Sequence, residues 1–299
     1  MTRPDGQRIR KAVIPAAGMG TRLLPATKAL PKELLPLIDV PVIQLAVDDA
    51  VQSGINDVLV IVRRGKELLA DHFDRQPELE ALLAARGKTD ALEAVRSTGA
   101  GATLHYTRQP DPKGLGHAVL MARHHVGTDP FAVMLPDDVM LGPRPILAQL
   151  EDHWVPGQSV VAVMPVPRAE AFRYGIVTPA GEKTGSAFTV ADIVEKPAVS
   201  HVSDDVAWAV MGRYLLDPDV FDILEHVSPG AGGEIQLTDG LRAMAKTGRL
   251  TAVAYEGERF DVGDRLGYLK AVISYGLYRP DFAPDLKRYL AELAQQGTF

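Results

Sequence analysis

Residues 11–44 read KAVIPAAGMGTRLLPATKALPKELLPLIDVPVIQ. This stretch opens with a short apolar run, Lys11–Pro15, which is typical of a buried parallel strand. The prolines at positions 25, 31 and 36 then prevent a continuous helix. We therefore predict that Ala16–Asp39 is a long irregular segment, and its many leucines predict that it packs against the body of the protein.

The same segment has the features of a phosphate-binding loop. Gly18 and Gly20 would let the backbone approach a ligand and direct its N–H groups at phosphate oxygens. Arg22, Lys28 and Lys32 supply positive charge for a polyphosphate. The alternative is a tight turn with scattered surface cations, but three cations in a stiff loop after a first strand favour phosphate binding.

Better-known site motifs are absent. The dinucleotide fingerprint G-x-G-x-x-G would need glycine or alanine where Leu23 stands. No G-x-x-x-x-G-K-[ST] occurs, so a P-loop ATPase or kinase is unsupported. The absence of H-E-x-x-H and G-x-S-x-G removes the commonest zinc-protease and esterase signatures.

Outside this segment, the first half of the chain alternates strand-like and helix-like stretches. The predicted strands are Asp57–Arg63, Thr103–Thr107 and Phe131–Leu135, and the predicted helices are Pro41–Ser53, Glu78–Arg96 and Gly116–His125. This alternation predicts a right-handed, doubly wound parallel sheet whose ligand site lies at the carboxyl ends of its strands.

The second half changes character. Its predicted strands are Ser159–Val166, Gly175–Pro179, Phe188–Val194 and Trp208–Leu216, with a strand region at Val253–Tyr255 before Asp261. Its predicted helices are Asp219–Val227, Ile235–Lys246, Arg265–Tyr278 and one near Pro284–Gln295. We therefore predict an α/β fold with a doubly wound mixed, mostly parallel sheet in a single domain.

Composition excludes several classes of protein. The 299 residues are 46% hydrophobic and 23% charged, which is typical of a globular protein, and the net charge of −6 argues against a sequence-independent nucleic-acid binder. The absence of cysteine excludes disulfides and thiolate sites and fits a reducing cytoplasm. The N-terminus has no apolar core of signal-peptide type, and no run of about 18 apolar residues occurs. We expect a cytoplasmic protein with no nucleic-acid or membrane partner.

Residues 11–44 resemble the N-terminal signature of the bacterial UTP–glucose-1-phosphate uridylyltransferase (UDP-glucose pyrophosphorylase) family of the sugar-nucleotidyltransferase superfamily. The PATK and PKELLP stretches resemble the uridylyl branch more than the thymidylyl, guanylyl or adenylyl branches. Similar segments continue through Lys113–Ala118, Leu135–Asp138, Tyr174–Gly175, Val194–Pro197, Gly212–Tyr214, Gly233–Asp239 and Asp261–Gly263. Val40 departs from the pattern, since relatives often carry lysine there.

The resemblance implies a Rossmann-like, glycosyltransferase-A-like fold and a magnesium-dependent reaction. UTP and α-D-glucose 1-phosphate would give UDP-glucose and pyrophosphate. The single domain would then comprise a nucleotide-binding half (1–150), a sugar-phosphate-binding half (151–263) and C-terminal helices (264–299). The resemblance also implies a homo-oligomer, a dimer or a tetramer.

By the same resemblance, Asp137 and Asp261 are magnesium ligands, Arg22 and Lys32 neutralise the triphosphate, and Lys196 grips the sugar phosphate. The nucleotide-binding residues are Ala16, Ala17, Gly18, Gly20, Thr21, Gln109 and Gly114, and the sugar-binding residues are Gly175, Glu195, Lys196 and Gly212. The amide of Gln109 offers a donor and an acceptor that match the edge of uracil.

Other residues have simpler interpretations. We interpret Asp138 as a solvated turn or helix cap, Glu33 as a charge partner of the loop cations, and His117 as structural. His124 and His125 are adjacent, so on a helix they would face different directions and make a poor chelate.

Two rival functions stay open. A thymidylyltransferase or another sugar-1-phosphate nucleotidyltransferase would use the same fold, and one methyl group on the base discriminates only about 1–3 kcal/mol. A non-catalytic paralogue that binds sugar nucleotides is the second rival. The joint presence of Arg22, Lys32, Asp137, Lys196 and Asp261 speaks against it, because binding alone would tolerate loss of the metal ligands.

Overall fold

The computed structural model describes residues 8–182, 185–202, 204–230 and 233–297, so residues 1–7 of the N-terminal segment lie outside it. The strands are β1 Lys11–Pro15, β2 Pro36–Leu37, β3 Val40–Pro41, β4 Asp57–Val62, β5 Thr103–Arg108, β6 Phe131–Met134, β7 Asp138–Leu141, β8 Ser159–Pro167, β9 Gly175–Pro179, β10 Ala187–Glu195, β11 Val206–Leu216, β12 Leu250–Ala254 and β13 Glu258–Asp261. The helices are α1 Val42–Gln52, α2 Leu68–Asp71, α3 Pro77–Ala85, α4 Thr89–Ser97, α5 Leu115–Leu120, α6 Arg123–Val126, α7 Ile146–Glu151, α8 Asp219–His226, α9 Leu237–Lys246, α10 Arg265–Tyr278 and α11 Ala283–Gln295.

One mixed sheet of nine strands runs through both halves of the chain, in the order β5-β4-β1-β6-β11-β8-β12-β10-β9. The first four strands are parallel, as the alternating pattern predicts. Beyond β6, only β12 and β8 pair in parallel among the described neighbours in this strand order, and the other neighbouring strands pair antiparallel. The mixed α/β class is confirmed, but the mostly parallel character belongs to the first half.

Strand β1 lies at the centre of the parallel half because its interior is wholly apolar. Ala12, Val13 and Ile14 are fully buried between β4 and β6. Ile14 packs in the cluster that includes α1, whereas Val13 packs on the other face with α5 and α8. A strand covered by helices on both faces needs a continuous apolar run.

Two predicted helices are each split in the structure. Glu78–Arg96 is divided into α3 and α4 because Gly87 adopts a left-handed conformation with φ of 65°. Gly116–His125 is divided into α5 and α6, where the N–H of Ala122 donates to Val119 O, three residues back. Such a tightened turn ends a regular α-helix.

A second, two-stranded sheet was not predicted from the sequence. Strand β13 pairs antiparallel with β7, and Asp261 lies opposite Asp138. Asp261 follows the Val253–Tyr255 region, as expected, and it ends this further short strand. This small sheet brings the Asp137–Asp138 turn next to Asp261.

Strand β11 bends where its register shifts between Val210 and Tyr214. Its later residues pair with β6, and its earlier residues pair with β9. Gly212 lies at this bend, where a Cβ atom would approach Asp138 Oδ2 and Leu135 Cβ to 2.7 Å each. The bend therefore needs glycine, and it lies between the part of β11 that pairs with β6 and the part that pairs with β9. No helix within the described ranges has both the length and the apolar character of a bilayer span.

Candidate active site

The loop after β1 folds back on itself through three short 3₁₀ turns, Thr21–Leu23, Ala26–Lys28 and Lys32–Leu34. This agrees with the prediction that its prolines exclude a continuous helix. Gly20 adopts φ of 67°, and its carbonyl accepts a hydrogen bond from Thr27 Oγ1 at 2.7 Å. A Cβ atom on Gly20 would lie 3.3 Å from Lys32 Cβ. The loop is therefore compact and carries Lys32 under its glycine turn.

A buried ion pair supports this loop from below. Glu33 is 1% exposed, and both of its carboxylate oxygens accept hydrogen bonds from Lys66 Nζ, at 2.7 and 2.8 Å. Lys66 Nζ also donates to Ala16 O at 2.6 Å. Burial lowers the pKa of Lys66 even though Glu33 opposes the shift. The ion-pair partner of Glu33 is thus Lys66, which the sequence analysis missed although it follows the basic pair Arg63-Arg64 at the end of β4.

The loop cations meet acidic residues from distant parts of the chain. Lys32 Nζ lies 2.5 Å from Asp137 Oδ2, three residues beyond β6. Arg22 lies 3.3 Å from Asp261 Oδ2 through Nη1 and 3.9 Å from Asp137 Oδ2 through Nη2. Burial would raise the pKa of Asp137, but Lys32 outweighs it and the pKa is lowered. The structure therefore brings these four predicted residues together.

The space between the two aspartates suits a small cation. A Cβ atom built on Gly263 would lie 2.9 Å from Asp261 Oδ1 and 3.0 Å from Asp137 Oδ2. Arg22 Nη2 lies 2.5 Å from the same point, so the missing side chain lets both carboxylate oxygens and this guanidinium converge on one small volume. The N–H of Gly263 also donates to Asp261 Oδ1 at 2.9 Å, which fixes that carboxylate. Carboxylate oxygens are the protein ligands that magnesium prefers, so this pair fits such an ion.

Asp138 is not a solvated turn residue, and that interpretation is wrong. It is buried, and its Oδ2 accepts a hydrogen bond from the N–H of Gly212 at 2.8 Å. Its Oδ1 accepts from Arg259 Nη2, and the same Arg259 nitrogen lies 4.0 Å from Asp261 Oδ2. Burial raises the pKa of Asp138, and the nearby Arg259 only partly opposes this shift. Burial would lower the pKa of Arg259, but the Asp138 carboxylate outweighs it, so the pKa of Arg259 is raised.

Arg259 is a second residue that the sequence analysis missed. Its guanidinium lies 5.4 Å from the ring centre of Tyr174, and Nη1 donates to Tyr174 OH at 3.4 Å. It therefore links the two acidic segments to the segment that precedes Gly175. No local pattern marks it, because the four-residue strand β13 has no apolar run.

The predicted sugar-side residues meet at the ends of β9 and β10. Glu195 Oε2 accepts a hydrogen bond from Thr238 Oγ1 at 2.6 Å, and a Cβ atom on Gly175 would lie 3.2 Å from the same oxygen. Lys196 has φ of 44°, and its N–H donates to Tyr174 O at 2.9 Å. Its Nζ lies 3.5 Å from Glu195 Oε1 and is largely exposed.

The predicted base-side residues meet at the end of β5. Gln109 is 6% exposed, and its N–H donates to Val62 O at 2.8 Å. Its side-chain Nε2 donates to Gly114 O at 3.2 Å and to His117 Nδ1 at 2.9 Å. His117 therefore orients the amide that the sequence predicts to read the base.

Two adjoining cavities of about 460 and 200 Å³ hold these groups. The larger is lined by Ala17, Gly18, Lys32, Gln109, Gly114, Asp137, Glu195 and Lys196. The smaller is lined by Arg22, Asp137, Gly175, Glu195, Lys196, Gly212 and Asp261. Asp137, Glu195 and Lys196 lie on both. Among the described residues, Ala16, Gly20 and Thr21 line neither cavity, and Ala16 is fully buried.

Comparisons with known proteins agree on one family. The nucleotidyl transferase family profile matches residues 11–275. The chain is 48% identical to the UTP–glucose-1-phosphate uridylyltransferase of Streptococcus pneumoniae, over 97% of this chain and 98% of that one. It is 46% identical to the UTP–glucose-1-phosphate uridylyltransferase YngB of Bacillus subtilis, over 98% of each chain.

The similar solved structures come from proteins of the same kind as these sequence relatives. The UTP-bound UGPase from Acinetobacter baumannii matches with a TM-score of 0.87 at 37% identity, over 96% of this chain and 100% of that one. A UDP-glucose pyrophosphorylase complexed with UDP-glucose matches with a TM-score of 0.81 at 37% identity, over 91% of this chain and 100% of that one.

Proposed function

The chain belongs to the nucleotidyl transferase family, and within that family we propose that it is a UTP–glucose-1-phosphate uridylyltransferase. It transfers the uridylyl group of UTP to α-D-glucose 1-phosphate, giving UDP-glucose and pyrophosphate. Full-length relatives that are 44–48% identical carry this name. The observation that carries the proposal is that Lys32, Asp137 and Lys196 line one cavity, although they come from distant parts of the chain.

The reaction joins two anions, so repulsion and orientation are the problems that the protein must solve. A phosphate oxygen of glucose 1-phosphate attacks the α-phosphorus of UTP, and the bond from that phosphorus to the bridging oxygen breaks as pyrophosphate leaves. Catalysis of such transfer depends on positioning and charge stabilisation. Arg22 and Lys32 neutralise the triphosphate and the leaving pyrophosphate, and Lys196 holds the sugar phosphate.

Asp137 and Asp261 would hold the magnesium ion that the family implies. When bound, the ion supplies positive charge to phosphate oxygens during transfer. The support for this assignment is the shared volume beside Gly263 that both carboxylates face. Arg259 and the N–H of Gly263 keep the second carboxylate in place.

Glucose and uracil are recognised at opposite ends of the cleft. Glu195, held by Thr238, accepts hydrogen bonds from glucose hydroxyls, and Gly175 and Gly212 let the backbone approach the sugar. At the other end, the side-chain oxygen of Gln109 accepts from the base beside Ala17 and Gly18, since its Nε2 already donates to Gly114 O and His117 Nδ1.

A matrix of nucleoside triphosphates against sugar 1-phosphates, with and without magnesium, tests this function through pyrophosphate release. We expect the highest kcat/KM for UTP with glucose 1-phosphate and loss of turnover without magnesium. The thymidylyltransferase alternative predicts that dTTP is preferred to UTP. The non-catalytic alternative predicts no pyrophosphate in any combination.

The assembly and location of the protein are also part of this proposal. We propose a homo-oligomer, a dimer or a tetramer, because α10 and α11 leave large apolar side chains exposed, namely Leu266, Leu269, Tyr278 and Tyr289. Light scattering of the purified chain measures this directly, and a monomer at micromolar concentration would contradict it. A cytoplasmic location fits the absence of cysteine.

A further inference from the structure

We propose that Asp57, His105 and His125 form a binding site for a divalent transition-metal ion, zinc above all, at the end of the sheet opposite the nucleotide loop. Each of the three residues offers one ligand atom, and these atoms all lie within 4.8 Å of one another. Nothing in the proposed uridylyl transfer uses any of them. The site would be a second and chemically different metal centre.

The distances suit a shared ion. His125 Nε2 lies 2.7 Å from Asp57 Oδ1, and His105 Nε2 lies 3.6 Å from the same oxygen. The two imidazole rings have centroids 4.7 Å apart and are tilted by 55°. Zinc binds imidazole nitrogen and carboxylate oxygen at about 2.0–2.2 Å, so its neighbouring ligand atoms lie about 3–4 Å apart. Small side-chain rotations suffice to bring all three atoms around one ion.

The fold explains why these residues meet. Asp57 begins β4, and His105 lies on the parallel edge strand β5, opposite Leu59. Alternation along β4 places Asp57 and Leu59 on the same face of the sheet, so His105 shares that face. Leu59 and Val126 belong to the same core cluster, and the contact of His125 with Asp57 places α6 over this face.

The pairing of His105 with His125 extends one expectation from the sequence. The adjacent pair His124 and His125 is indeed a poor chelate, because His124 is exposed and only His125 joins the described cluster. The second histidine ligand comes from β5, about twenty residues earlier in the chain. The proximity of His105 and His125 is therefore seen only in the folded structure.

The ligand chemistry selects the class of ion. Two imidazoles and one carboxylate suit zinc, copper or nickel, whereas magnesium and calcium prefer oxygen ligands alone. Three protein ligands also leave a coordination position for water or another small ligand. Asp57 and His125 are partly buried and His105 is exposed, so an ion would reach the site from solvent.

Positively charged side chains near the cluster are expected to weaken zinc binding but not to prevent it. Lys11 Nζ donates to the carbonyls of His125 and Val126 at 3.1 and 3.0 Å and lies 2.8 Å from Asp129 Oδ2, which offsets its charge. Arg8 and Arg10 line a cavity beside Asp57. We therefore expect weaker binding than at a closed structural zinc site. The Lys11 contacts also anchor the backbone that carries His125.

The site is separate from the proposed nucleotide site. Asp57 begins β4, whose far end lies beside the loop after β1, and the five steps from Asp57 to Val62 span about 16 Å. An ion at Asp57 therefore joins β4, β5 and α6 without reaching the cleft. Because the ion would bind the folded chain, it would increase the free energy of unfolding by mass action.

Isothermal titration of the full chain with zinc chloride tests the proposal, in excess magnesium chloride so that the Asp137–Asp261 pair is saturated. We expect one zinc ion per chain and a raised melting temperature. His105→Asn is expected to weaken binding at least about tenfold, since even outer-shell changes cost about 10–100-fold. Because His105 is exposed at the sheet edge, this variant keeps the fold and its pyrophosphate release.

His124→Asn is the matched control, since it removes a histidine from the same helix but outside the cluster. Its zinc affinity is expected to equal that of the wild type, whereas Asp57→Asn and His125→Asn weaken binding as His105→Asn does. Unchanged zinc affinity in His105→Asn, or zinc binding that is lost in Asp137→Asn and kept in His105→Asn, would overturn the proposal.

Discussion

Lys32 Nζ lies 2.5 Å from Asp137 Oδ2, although 105 residues separate the two side chains in the sequence. Both are mostly buried, with side-chain exposures of 15% and 24%. Burial would lower the pKa of Lys32, but the Asp137 and Glu33 carboxylates outweigh it and raise the pKa. Lys32 therefore stays charged at neutral pH, and the contact joins the loop after β1 to the end of β6.

Gly263→Ala tests the shared volume between the aspartates. The added Cβ would lie within about 3 Å of Asp137 and Asp261 oxygens and 2.5 Å from Arg22 Nη2. These groups must move, and displacements near 1 Å cost about 10²-fold in rate, so we expect a loss of that size and a higher magnesium requirement. Gly181→Ala is the control, because no atom lies within 4 Å of its added Cβ. Equal kcat in both variants would show that this volume is not used.

Lys66→Met tests the support under the loop. It leaves the Glu33 carboxylate buried and unpaired, which costs about 3–5 kcal/mol of unfolding free energy. Urea unfolding of the variant measures this loss, and the KM for UTP is expected to rise because Ala16 O loses its donor.

The double variant Lys66→Met/Glu33→Leu is the matched comparison, since it removes both charges. It is expected to be more stable than Lys66→Met alone. If the second substitution instead lowers the stability further, the buried pair does not account for the loss.

The contact between Gln109 and His117 predicts a pH dependence. Burial lowers the pKa of His117 below 6.5, and Lys113 acts in the same direction. Only the neutral ring accepts the Gln109 amide at Nδ1, so this contact stabilises the fold above pH 6.5 and is lost as the pH falls through the lowered pKa. The KM for UTP is therefore expected to rise as the medium is acidified through that lowered pKa.

His117→Asn removes the titrating ring and serves as the comparison for that profile. Its KM for UTP is expected to be higher at neutral pH and to change less between pH 7.5 and 5.5. The same rise in both proteins on acidification would assign the effect to another group.

Lys196→Ala tests the sugar-phosphate contact. A charge-assisted hydrogen bond contributes about 1.5–3 kcal/mol, so the KM for glucose 1-phosphate is expected to rise by about 10–150-fold with little change in the KM for UTP. Lys270→Ala, on the exposed side of α10, is the control and is expected to behave as wild type. An unchanged KM in Lys196→Ala removes Lys196 from the site.

Much of the fold follows from local sequence. Strand β1 and helix α10 have the predicted bounds, because one is an uninterrupted apolar run and the other lies between Asp264 and the Arg279-Pro280 break. The spacing of the prolines in the loop also predicts the absence of a continuous helix there. These features depend on neighbouring residues alone.

The acidic part of the site does not follow from local sequence. Asp137 and Asp138 are adjacent, and nothing in their surroundings distinguishes the residue that meets Lys32 from the one that is buried. Gly212 and Arg259 make that distinction, and both lie more than seventy residues away. The pairing of β7 with β13 is equally non-local, since strands of four residues carry too few positions for a recognisable pattern.

Pyrophosphate release by Asp137→Asn with UTP, glucose 1-phosphate and magnesium tests whether the loop cations and the two distant aspartates act on one triphosphate. If they do, kcat is expected to fall by at least about 10²-fold. A retained cooperative melt shows that the fold survives, and Asp285→Asn, an exposed acid on α11, is expected to keep wild-type activity. Near-normal pyrophosphate release by folded Asp137→Asn would contradict the account.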